Sequence, residues 1–152
     1  MRKHFYIFFM ALFIVYSCGQ NKATVNPEPQ FAGISEVLSK IDSNLLSYEY
    51  IIIVPNNACS GCIAMTLQAA PELLQTQKVA IITEVPETRF DIPDGIKRMS
   101  LESVKRDMEI YGLTVIKQVD GKSELIYLDP RNIREEYIKI TDNPEMFRDI
   151  NL

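Results

Sequence analysis

The run Tyr50-Ile51-Ile52-Ile53-Val54 leads through Pro55-Asn56-Asn57 into Cys59-Ser60-Gly61-Cys62. That apolar run constrains the fold more than any other segment. An unbroken β-branched stretch has no polar side to turn to water, so it must be covered on both faces. It predicts a strand over 48–54 at the centre of a sheet. Pro55-Asn56-Asn57 is a turn signal. Beyond it a helix is expected to open near Cys59 and run through Met65 and Leu67. Two thiols three residues apart, between a strand and a helix, point to redox or soft-metal chemistry.

The remaining segments fill in an α/β pattern. Ile34, Val37, Leu38, Ile41 and Leu45 recur at helical spacing and predict an amphipathic helix over 34–46. Pro71 lacks a hydrogen-bond donor and crowds the preceding turn, so it should break or kink the cysteine helix, with 72–77 as its continuation. Residues 79–85 read as a second buried strand and 86–93 as a loop. Ser100 is placed to cap a helix carrying Leu101, Val104, Met108 and Tyr111 on one face, with Gly112 closing it. Residues 113–119 and 122–128 read as strands, joined by the strong hairpin pair Asp120-Gly121. Residues 131–141 fit neither period. Asn143-Pro144-Glu145 starts a short terminal helix with Met146, Phe147 and Ile150. The expected fold class is α/β: a central mixed sheet with flanking helices and a C-terminal antiparallel hairpin.

Met1-Arg2-Lys3-His4, the apolar stretch Phe5–Tyr16 and Ser17-Cys18-Gly19 have the layout of a secretory signal. The apolar stretch is about 18 Å long as a helix, short of the roughly 20 residues a membrane span needs. A small residue followed by cysteine after such a core resembles the bacterial lipoprotein box, loosely, since the usual leucine three before the cysteine is replaced by Val15. The resemblance implies a signal over 1–17, lipid on Cys18, a flexible tether over 18–33 and one domain over 34–152. An ordinary signal with an incidental cysteine is the alternative. Removing the signal takes away His4, the only histidine. Of the 16 basic residues it also takes Arg2 and Lys3 and no acid, leaving 14 basic against 20 acidic side chains, a net charge of −6. No basic block remains to bind nucleic acid. The expected setting is the bacterial cell envelope, lipid-anchored, periplasmic or at the outer membrane, as a monomer.

With its motif opening the helix after the central strand, the chain resembles the thioredoxin-like fold family over about residues 34–152. The resemblance implies that Cys59 is the attacking nucleophile and Cys62 the resolving cysteine, with protein thiols or disulfides as partners. It places Leu113 and Thr114 at the family's cis-proline loop, which binds substrate. No proline stands there in this chain. Ala58 replaces the tryptophan usual before the first cysteine, and Ile53 stands where thioredoxin proper has a buried acid.

Helix N-termini carry unpaired N–H groups and partial positive charge, which lower a thiol pKa from its free value of roughly 8.5. No lysine, arginine or histidine lies near the motif in sequence, leaving the helix dipole as the local activator. Lys105-Arg106-Asp107 and Glu135-Glu136 read as solvated faces. Three chemistries stay open: disulfide exchange, a static bridge on a binding module, and metal handling. A bridge this short removes little entropy from the unfolded chain, which argues against a purely stabilising role. Structural zinc wants four N or S ligands, and two thiols without a histidine fall short. Cu(I) accepts two thiolates, with Met65 one turn past Cys62 as a further ligand or, on the plainer reading, a core side chain. No metal site and no cofactor are expected.

Overall fold

A computed structural model describes residues 32–148. The signal, Cys18 and the tether up to residue 31 lie outside the described residues, as does Ile150. Helix α1 (Ala32–Ile41) leads through a 3₁₀ turn (Ser43–Ser47) to strand β1 (Tyr50–Val54). Helix α2 (Ser60–Gln75) and strand β2 (Val79–Thr83) follow, then a short strand β3 (Lys97–Arg98) and helix α3 (Glu102–Met108). Strands β4 (Thr114–Val119) and β5 (Lys122–Tyr127) precede helix α4 (Ile133–Thr141).

The sheet order is β3-β2-β1-β4-β5. β1 pairs parallel with β2, as β2 does with β3, while β1–β4 and β4–β5 are antiparallel. A parallel β-α-β unit thus joins an antiparallel β-β-α unit, the thioredoxin-like α/β layout expected for this chain. The isoleucine run explains why β1 is central. Ile51 and Ile53 face α1 and α3, while Ile52 and Val54 face α2 and α4, and all four are fully buried. At the far end Asp120 (φ 51°) and Gly121 (φ 75°) both adopt the left-handed conformation that a tight hairpin turn demands.

Several local expectations needed tertiary correction. The first helix stops at Ile41 because Asp42 turns extended and its carboxylate accepts the Asn44 N–H at 3.0 Å, starting the 3₁₀ turn instead. α2 runs unbroken through Pro71. Pro71 is on the exposed side, and burial of Ala69, Ala70 and Leu73 around it outweighs the one missing hydrogen bond. Ser100 does not cap α3; Leu101 stands at the cap without a side-chain bond. Glu109, in the left-handed region at φ 52°, closes α3 in place of Gly112 and swings Tyr111 off the helix face. Within the ambiguous stretch 131–141, Ile133–Thr141 is helical because Ile133, Tyr137 and Ile140 are buried beside α2. Residues 144–148 form turns rather than a helix, though Met146 and Phe147 are buried as expected.

Candidate active site at Cys59 and Cys62

Strand direction assembles the site. β1 and β2 are parallel, so the loops that follow them leave the same edge of the sheet. β4 is antiparallel to β1, so the loop before it arrives at that edge too. The cysteine motif, Arg89-Phe90 and Tyr111-Gly112 are therefore neighbours in space.

Cys59 and Cys62 form a disulfide across the first turn of α2. Cys59 is the N-cap residue of the helix and is exposed, whereas Cys62 is 3% exposed and packed into the core beside Ala58 and Leu113. The difference follows from the helix start. The cap residue sits outside the first turn, while position 62 has already rotated onto the apolar face with Ile63, Met65 and Thr66. The Cys62 N–H donates to Cys59 Sγ at 3.0 Å, a main-chain donor that favours a thiolate there. The first turn of α2 carries no acidic side chain to oppose it.

The surroundings of the motif correct the view that the helix dipole acts alone. Arg89, from the loop after β2, donates from Nη2 to Ser60 Oγ at 2.7 Å and from Nη1 to the Asn56 carbonyl at 2.9 Å. It spans the loop that carries Cys59. Its guanidinium also lies over the Phe90 ring, 5.3 Å from the centroid. The local sequence around the cysteines held no sign of this. The usable signal was topological: in a β-α-β unit the two loops following the strands share an edge. Asn57 Nδ2 donates weakly to the Tyr111 carbonyl at 3.4 Å, tying the motif to the loop before β4, where Tyr111 is 70% exposed.

Glu84, at the end of β2, holds the same loop from beneath. Its Oε1 accepts the Asn56 N–H at 3.1 Å and pairs with Lys105 of α3. Burial raises its carboxyl, but the Lys105 contact and the Asn56 and Leu101 amides outweigh that and hold it below the usual carboxylate range. Lys105 is 21% exposed and so belongs to a covered ion pair, not to the solvated face expected of Lys105-Arg106-Asp107. Arg106 and Asp107 do face solvent.

Ile53 points to the sheet face away from α2, so it is not behind Cys62. The β1 side chains on that side are Ile52 and Val54, both apolar. In the core, Thr66 links the Cys62 main chain to Tyr137. Thr66 Oγ1 donates to the Cys62 carbonyl at 2.8 Å, so its 2.7 Å contact with Tyr137 requires the phenol to be the donor. Burial pushes the Tyr137 hydroxyl far above its ordinary value and keeps that donor protonated.

Leu113 and Thr114 sit at the start of β4 on the motif's side of the molecule. Their side chains are buried, Leu113 in the same cluster as Cys62, and Thr114 Oγ1 bonds the Gly112 carbonyl at 2.9 Å. At this edge of the sheet Tyr111 is the exposed side chain of the loop. Met65 is buried among core side chains. Among the described residues no three His, Cys, Asp or Glu side chains converge as a metal-binding group, and no helix is long and apolar enough to cross a membrane. No family model, curated protein or solved structure matches the chain.

Proposed function

We propose that the chain is a lipid-anchored member of the thioredoxin-like family in the bacterial envelope, exchanging disulfides with protein substrates. One observation carries this reading: the two bridged cysteines are unequal. Cys59 is exposed at a helix N-terminus with a main-chain donor on its sulfur, and Cys62 is buried directly behind it. A static bridge on a binding module has no need of an accessible sulfur. Exchange does, because the attacking thiolate must reach a substrate disulfide in line.

In the reducing direction, the Cys59 thiolate attacks one sulfur of a substrate disulfide and expels the other as a thiolate. Cys62 then loses its proton and attacks Cys59 Sγ, releasing the second substrate sulfur and closing the Cys59–Cys62 bond. The substrate gains two electrons and the pair loses two, so a dithiol donor must restore it. Run backwards, the same steps make the protein an oxidant.

The test is a glutathione redox titration of the full-length chain in detergent, with thiol trapping. An apparent potential between about −120 and −270 mV is the range of exchange catalysts. A bridge that resists opening below about −300 mV is structural and sinks the proposal. In cells, Cys62→Ala should accumulate mixed disulfides through Cys59 that Cys59→Ala lacks. Globomycin-sensitive processing and acyl labelling lost in Cys18→Ala test the lipid anchor.

A further inference from the structure

We infer that Arg89 sets the reactivity of Cys59 by holding a fixed positive charge over the loop that carries it. The inference rests on the exchange reading of the same pair. Arg89 grips an atom on each side of Cys59 in the chain, the Asn56 carbonyl at 2.9 Å and the Ser60 hydroxyl at 2.7 Å. Two hydrogen bonds from one planar fork fix both its position and its orientation. Cys59 itself is exposed, so a thiolate formed there faces solvent beside this cation and not the apolar interior.

Two ion pairs tie up charges on the bordering elements, whereas the exposed Asp91, Asp94, Glu102 and Glu109 make no ion pair and no hydrogen bond to the motif among the described residues. Glu84 pairs with Lys105, and Glu87 pairs with Arg98. Tyr111 in the facing loop presents only its carbonyl to the motif, through Asn57. Among the described residues the one other charged side chain that hydrogen-bonds residues 56–62 is Glu84, whose Oε1 accepts the Asn56 N–H at 3.1 Å and pairs with Lys105. α2 contributes no acid in its first turn and no base. Arg89 is therefore the one charged group that hydrogen-bonds the motif without an ion-pair partner among the described residues. Hydrogen bonding to neutral acceptors leaves its charge uncancelled and available to the sulfur. An opposite charge within several ångströms lowers a thiol pKa by about one unit or more, in addition to the helix terminus.

The measurement is the pH dependence of iodoacetamide alkylation of the reduced full-length protein, with the label located on Cys59 by peptide mass spectrometry. The midpoint of the rate profile should lie below the free-thiol value. In Arg89→Met it should rise by about one pH unit, and Arg89→Lys should recover at least half of that rise. A merely structural clip would not respond to charge in this way. An unchanged midpoint in Arg89→Met, or a Lys variant no better than Met, overturns the inference. Should Arg89→Met fail to fold, salt decides. Raising KCl to 1 M should move the wild-type midpoint upward as the exposed charge is screened, and a midpoint indifferent to salt overturns the inference. Alkylation does not require the protein to catalyse exchange. A low, Arg89-dependent midpoint in a protein whose bridge resists glutathione would sink the exchange reading and leave the role of Arg89 standing.

Discussion

Glu84 shows how one side chain can serve several elements at once. It follows β2 directly, accepts an amide of the cysteine loop, and pairs with the Lys105 ammonium of α3. Its carboxyl titrates below the unfolded value, so folding gains from it above the ordinary carboxylate range. That gain disappears as the pH falls through the lowered folded value. The urea midpoint should therefore fall between pH 6 and pH 3, and Glu84→Gln should be less stable at pH 7 with a flatter acid limb. An acid limb as steep as the wild type's would assign the loss to other carboxylates. The cysteines were readable from spacing alone, but Glu84 and Arg89 were not. Neither belongs to a motif, and each acquires its role from a partner on another element.

Pro71 marks where local propensity loses to packing. The ring leaves the Leu67 carbonyl without its helical partner, yet α2 continues to Gln75 because its buried face packs against β2 and α4. Pro71→Ala restores the donor at an exposed site and loses only the stiffness proline gives the unfolded chain. A gain of about 1–2 kcal/mol is expected in urea denaturation. A loss would mean that the ring itself fits the helix. The caps follow the same lesson. Ser100 and Gly112 are the residue types that cap helices, but Leu101 stands at the start of α3 without a side-chain bond and Glu109 closes its end.

The whole molecule is held by two apolar layers, one on each face of the sheet. The disulfide lies at the rim of one layer and closes a loop with a sequence separation of only 3. Reducing it should therefore lower the unfolding free energy by roughly 2 kcal/mol or less, while the protein stays folded. Matched urea curves with and without dithiothreitol check this. Unfolding on reduction would make the bridge a structural staple and count against exchange.

The order of the main strands and helices was written in the chain. The isoleucine run has no polar face, so β1 had to be central, and Asp120-Gly121 can hold the left-handed turn that β4 and β5 need. These are properties of adjacent residues, and adjacency is what a sequence records. The helix start decides which sulfur is exposed, but what surrounds it depends on strand direction. Parallel β1 and β2 bring Arg89 to Ser60 across 29 residues, and antiparallel β4 brings Tyr111 to Asn57 across 54. Those contacts exist only once the sheet has formed, because the hydrogen-bonded register of the strands determines which loops share an edge.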